Sequence, residues 1–145
     1  MTPRLQRIIA GLAVAAWALA GMPASAEVIA LKAELKGTNE VPPNKSAGSG
    51  TLTLSYDTAE RKLSWKGGYS GLTSPVIAAH FHGPAAVGRN AGISLVIANG
   101  TLPASFEGSA TLTDAQATDL LAGRWYVNLH TAANPAGEIR GQVLK

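Results

Sequence analysis

Thr51-Leu52-Thr53-Leu54-Ser55-Tyr56-Asp57-Thr58-Ala59-Glu60-Arg61-Lys62-Leu63-Ser64-Trp65-Lys66 is the stretch that decides the fold. Leu52 and Leu54 alternate with Thr51, Thr53 and Ser55. Leu63 and Trp65 alternate with Lys62, Ser64 and Lys66. A period of two is that of a strand with one apolar and one wet face. Asp57 to Glu60 form a polar turn between the two runs, so the stretch reads as a hairpin. Strand-like runs recur on either side, at 28–35, 76–82, 93–98, 106–112, 124–131 and 138–144. Ser74-Pro75 opens one of them and Asn99-Gly100 ends another. Gly108 marks a bulge or a close backbone approach. Asn134-Pro135-Ala136-Gly137 makes a tight turn between the last two. Residues 37–49 are a long polar loop. Thr113-Asp114-Ala115-Gln116 has the form of a capping box, and Gly123 stops the short helix that follows. The pattern predicts an all-β, antiparallel sandwich or barrel, Greek-key-like, with seven to nine strands and one short helix plugging an end.

The first 26 residues stand apart. Arg4 and Arg7 precede an apolar run at 8–20, and Ala24-Ser25-Ala26 follows. This is the order of a cleaved secretory signal, with the domain at 27–145. The apolar run falls short of the roughly 20 residues needed to span a bilayer, so no membrane anchor is expected after cleavage. Export to the periplasm or beyond is the expectation. Residues 27–145 hold 10 Lys+Arg against 9 Asp+Glu, a net charge of +1. The basic character of the whole chain is therefore no nucleic-acid footprint. With no cysteine, an exported domain of this size rests on its packed core.

The chemistry-bearing residues are few. His80, His82 and His130 are the only histidines, and neither Met nor Cys occurs after residue 26. Residues two apart on a strand share a face, so His80 and His82 stand side by side with Phe81 opposite. If the strand ending in His130 lies beside them, three imidazoles converge on a site for copper or zinc. Asn128, Glu138 and Glu40 are the expected acceptors for their remaining nitrogens. A blue-copper centre is excluded for lack of a thiolate. The plainer alternative is three half-buried histidines bonded to backbone carbonyls. Glu138 and Arg140 alternate on the last strand. The favoured reading is a structural ion pair, Arg140 with Glu40, tying the proline-stiffened loop to the sheet. An anion clamp or a general base at these positions is the other. Gly88-Arg89-Asn90-Ala91-Gly92 lacks the ending of a phosphate loop, and no serine sits in a nucleophile elbow.

Four motifs, in order, are similar to those of the CHRD domain, a module named after chordin and found in secreted bacterial proteins. They are Gly37-Thr38-Asn39-Glu40-Val41-Pro42-Pro43, Ala79-His80-Phe81-His82-Gly83-Pro84-Ala85, Tyr126-Val127-Asn128-Leu129-His130-Thr131 and Pro135-Ala136-Gly137-Glu138-Ile139-Arg140-Gly141-Gln142. The resemblance implies a β-sandwich or barrel, and it assigns motif roles to Glu40, His80, His82, His130, Glu138 and Arg140 without defining an activity. A looser similarity to copper-zinc superoxide dismutase rests on the His-x-His pair. Three histidines and no cysteine cannot supply that enzyme's two metals and disulfide. Three functions follow as expectations: a non-catalytic module holding copper or zinc, an extracellular interaction domain with a protein partner and no metal, and a metal-dependent redox enzyme.

Overall fold

A computed structural model describes residues 25–145; residues 1–24, with most of the expected signal segment, lie outside them. Eight strands form: β1 (Val28–Lys36), β2 (Ser49–Asp57), β3 (Lys62–Ser70), β4 (Val76–His82), β5 (Ile93–Asn99), β6 (Ser105–Thr111), β7 (Tyr126–Thr131) and β8 (Ile139–Gln142). One helix, α1 (Asp114–Leu121), lies between β6 and β7. The β2–β3 hairpin pairs Leu54 with Trp65 and Asp57 with Lys62. Its turn is held by the Asp57 carboxylate, which accepts from the Ala59 and Glu60 amides at 2.8 and 2.9 Å. Both halves of the capping box at Thr113 and Gln116 are present.

Every pairing is antiparallel, and the strands form one sheet in the order β5-β4-β7-β8-β1-β2-β3-β6. The sheet curls into a nearly closed barrel around a single core, which settles the choice between sandwich and barrel. Leu31, Leu52, Leu63, Phe81, Phe106, Leu129 and Ile139 come together there from seven strands. Phe81 packs edge-on to Trp65 at 5.3 Å and against Trp125 at 5.7 Å. The edge strands β5 and β6 do not pair. From α1, Gln116 donates to the Ser94 carbonyl of β5 at 2.9 Å, while Ala117 and Leu120 are buried in the core. Gly108 is a close approach rather than a bulge. The β3–β6 register is unbroken, and a Cβ there would lie 2.5 Å from the Trp65 ring.

One stretch of this barrel positions the chemistry. Across β4, β7 and β8 the register aligns His80 with Asn128 and Arg140, and His82 with Tyr126 and Gln142. Ala78 of β4 faces His130. Directly opposed residues share a face of the pleat. Phe81, Val127, Leu129 and Ile139 fill the core, so the histidines, Asn128, Tyr126 and Arg140 stand on the outer face. That face is nevertheless shielded. Arg140 and Asn128 are buried, and so is Glu40, which reaches over from the 37–48 loop. Asn90 donates to the Val41 carbonyl at 3.1 Å, joining the two covering loops.

Candidate metal centre

The three imidazoles converge. Their ring centres are 5.2 to 5.9 Å apart, and one nitrogen of each lies within 4.8 Å of the others. Such a triangle contains a point no more than about 2.8 Å from each nitrogen. A zinc–imidazole bond is about 2.0–2.1 Å, so side-chain adjustments of under an ångström would close the site on an ion.

Each ring is oriented through its other nitrogen. His80 Nε2 is 3.4 Å from Asn99 Oδ1, His82 Nδ1 is 3.1 Å from the Ala91 carbonyl, and His130 Nδ1 is 3.0 Å from the Pro135 carbonyl. All three partners are acceptors, so those nitrogens carry the protons. The lone pairs then sit on His80 Nδ1, His82 Nε2 and His130 Nε2. All three of these atoms are buried and unpartnered. Buried polar atoms without partners are costly and uncommon. Three of them, all lone-pair donors and one on each of three converging rings, fit a metal ion. Burial lowers the pKa of His82 and of His130, with the neighbouring histidines adding to the effect and backbone hydrogen bonds opposing it. Both rings are therefore held neutral, the state that coordinates.

The acceptors differ from the sequence-based expectation of Asn128, Glu138 and Glu40. Asn128 instead donates to Glu40 Oε2 at 3.3 Å. Glu138 has no exposed surface and takes four hydrogen bonds: from Ser46 Oγ (2.6 Å), the Thr73 amide (2.8 Å), Thr73 Oγ1 (2.9 Å) and Thr131 Oγ1 (2.6 Å). Burial raises its pKa, but those bonds outweigh it and hold the carboxyl at about 2. Glu138 is thus an ionised clasp between three segments at neutral pH.

The expected Arg140–Glu40 ion pair is not formed. The two ion pairs among the described residues are Arg61–Asp114 and Arg124–Asp119. The register places Arg140 two strands from β4 on the same face as Tyr126. Its Cζ lies 3.4 Å from the centre of the Tyr126 ring. Its Nη1 donates to Asn90 Oδ1 at 2.8 Å, and its Nη2 to the Arg89 carbonyl. Tyr126 in turn stacks on His82, with ring centres 5.0 Å apart and planes 7° from parallel. Its hydroxyl accepts from the Ala91 amide at 3.1 Å. Arg140 therefore fixes the loop whose carbonyl orients His82. Arg140→Ala should lower stability by about 2–3 kcal/mol, from two lost charge-assisted bonds and the stack. Chemical denaturation checks this, and an unchanged midpoint would contradict it.

Glu40 is left in an unusual state. Burial pushes its carboxyl up to about 7, against the opposing pulls of the Arg140 charge and the Asn128 bond. The unfolded carboxyl titrates near 4.5. Between these values the folded state holds a proton that the unfolded state has lost, so stability from Glu40 is full below 4.5 and lost as pH rises through 7. Glu40→Gln, neutral at every pH, should match wild type near pH 4.5 and exceed it by about 1–3 kcal/mol at pH 8. Parallel denaturation at the two pH values tests it; a variant weaker at pH 8 would contradict it.

Tyr126 and Asn99 escaped the sequence reading. Tyr126 had a signal, because Tyr126, Asn128 and His130 alternate on one strand face. Asn99 had none, since its role depends on the β4–β5 pairing. A family model described as the CHRD domain matches residues 31–143. The chain belongs to the CHRD-domain family. The match runs from within β1 to just beyond β8, so all four CHRD motifs lie within it. Three of these motifs supply the histidines, Asn128, Tyr126 and Arg140, and the first supplies Glu40. In this CHRD domain the motifs are thus one continuous surface. No curated protein and no solved structure matches the chain.

Proposed function

We propose that this protein is an exported, non-catalytic CHRD binding module that holds a copper or zinc ion at His80, His82 and His130. The observation that carries it is the pairing of roles on each ring. One nitrogen is tied to an acceptor and the other is buried and unpartnered, on three rings that converge. Asn128, Arg140 and Glu40 support the layer around the ligands, while Glu138 locks the segments beneath it. The test is metal analysis of protein purified from the exported fraction, beside the triple His→Ala variant. About one equivalent of copper or zinc is expected in wild type and none in the variant. Equal metal content in both would refute the site.

Family membership favours a second reading, an extracellular interaction domain with a protein partner, in which the same residues only fix the fold. Metal-free wild-type protein would select it.

Export rests on the signal pattern. Glu27 is tied to the barrel: its amide donates to Thr58 Oγ1 at 3.0 Å and its carbonyl accepts from the Thr58 amide at 3.0 Å. Cleavage after Ala26 would leave both bonds intact. N-terminal sequencing of the exported protein should begin at Glu27; an intact Met1 there would contradict it.

A further inference from the structure

We propose that the three-histidine centre selects monovalent copper, Cu(I), over Zn(II) and Cu(II); this rests on the metal-binding reading above. The first ground is charge. All three donors are neutral imidazoles, and their protonated nitrogens are bonded to an amide oxygen and two backbone carbonyls, never to a carboxylate. The ligand set therefore brings no negative charge and gains none by polarisation. Neither carboxylate of the surrounding layer belongs to the ligand cluster. Both oxygens of Glu138 are taken by Ser46, Thr73 and Thr131; Glu40 accepts from Asn128 through Oε2, and its buried, unpartnered Oε1 lies outside the three-histidine cluster. The ligand cluster among the described residues contains histidines alone.

The second ground is a fixed cation. The Arg140 guanidinium lies on Tyr126, and Tyr126 lies on His82, which puts a full positive charge within roughly 8 Å of a ligand ring. Arg140 is 2 % exposed, so water screens this charge poorly. At an effective dielectric constant of about 20, a unit charge some 10 Å away weakens binding roughly tenfold for each added unit of charge on the ion. The third ground is coordination number. Zinc completes four ligands and Cu(II) favours a tetragonal set, whereas three converging nitrogens satisfy a d¹⁰ monocation without a further donor.

Anaerobic competition against chromophoric chelators, using the full mature chain with Cu(I), Cu(II) and Zn(II) in turn, decides the matter. Cu(I) should bind at least tenfold tighter than either divalent ion. A divalent ion binding as tightly as Cu(I), or tighter, overturns the selectivity while leaving the metal site standing. Failure of all three ions overturns both. Two variants separate charge from fold. Arg140→Gln should narrow the margin between Cu(I) and Zn(II). Val96→Glu places a carboxylate on the exposed edge strand, directly opposite His80, and should narrow it severalfold without disturbing the core. An unchanged margin in a folded Val96→Glu protein would overturn the charge argument.

Discussion

Glu138→Ala should cost about 3–5 kcal/mol, enough to unfold much of a domain whose total stability is of order 5–15 kcal/mol. The wild-type carboxylate gathers Ser46 from the long loop, Thr73 from the β3–β4 connection and Thr131 from the end of β7. Alanine removes their shared acceptor, and each donor left without one costs about 1–3 kcal/mol where it is shielded from solvent. The effect has a pH signature. The folded carboxyl titrates near 2 and the unfolded one near 4.5, so on acidification the unfolded state takes up the proton first. The stabilisation is complete above 4.5 and is lost as pH falls toward 2. The gap between wild type and Glu138→Gln should therefore shrink by about 1–3 kcal/mol over that window, after allowance for solvent screening. A gap independent of pH would show that Glu138 folds as a neutral acid.

Local pattern made much of the barrel legible. The alternation around Leu52, Leu54, Leu63 and Trp65 produced the β2–β3 hairpin, and the capping box produced the start of α1. Parity alone put His80 and His82 on one face and Phe81 in the core. What parity cannot supply is which strands lie side by side. An arginine beside a proline-stiffened loop that carries a carboxylate suggests a fold-fixing Arg140–Glu40 pair. The β7–β8 register sends the guanidinium over Tyr126 to the 89–90 loop instead. Two of the three acceptors that orient the histidines are the backbone carbonyls of Ala91 and Pro135, and a backbone carbonyl leaves no trace in side-chain identity. The same limit applies to Glu138, the expected acceptor for a histidine ring. Its true partners are hydroxyls and an amide 7 to 92 residues away in the chain.

Replacing any one of His80, His82 and His130 by Ala should weaken Zn(II) or copper binding by at least about 100-fold, because two imidazoles leave an exchangeable, incomplete site. Coordination needs neutral rings, and burial lowers the pKa of His82 and His130 below the ordinary 6.5. Affinity should therefore hold steady down to about pH 6.5 and decline only below it. Binding should also raise the melting temperature of the wild-type protein, since the unfolded chain scatters the three ligands. Calorimetric titration of wild type and the three single variants with copper and zinc is the most direct measurement. One tight site in wild type, lost in each variant, is the expected result. Equally weak binding by all four proteins would contradict the metal centre and leave the cluster with a structural role alone.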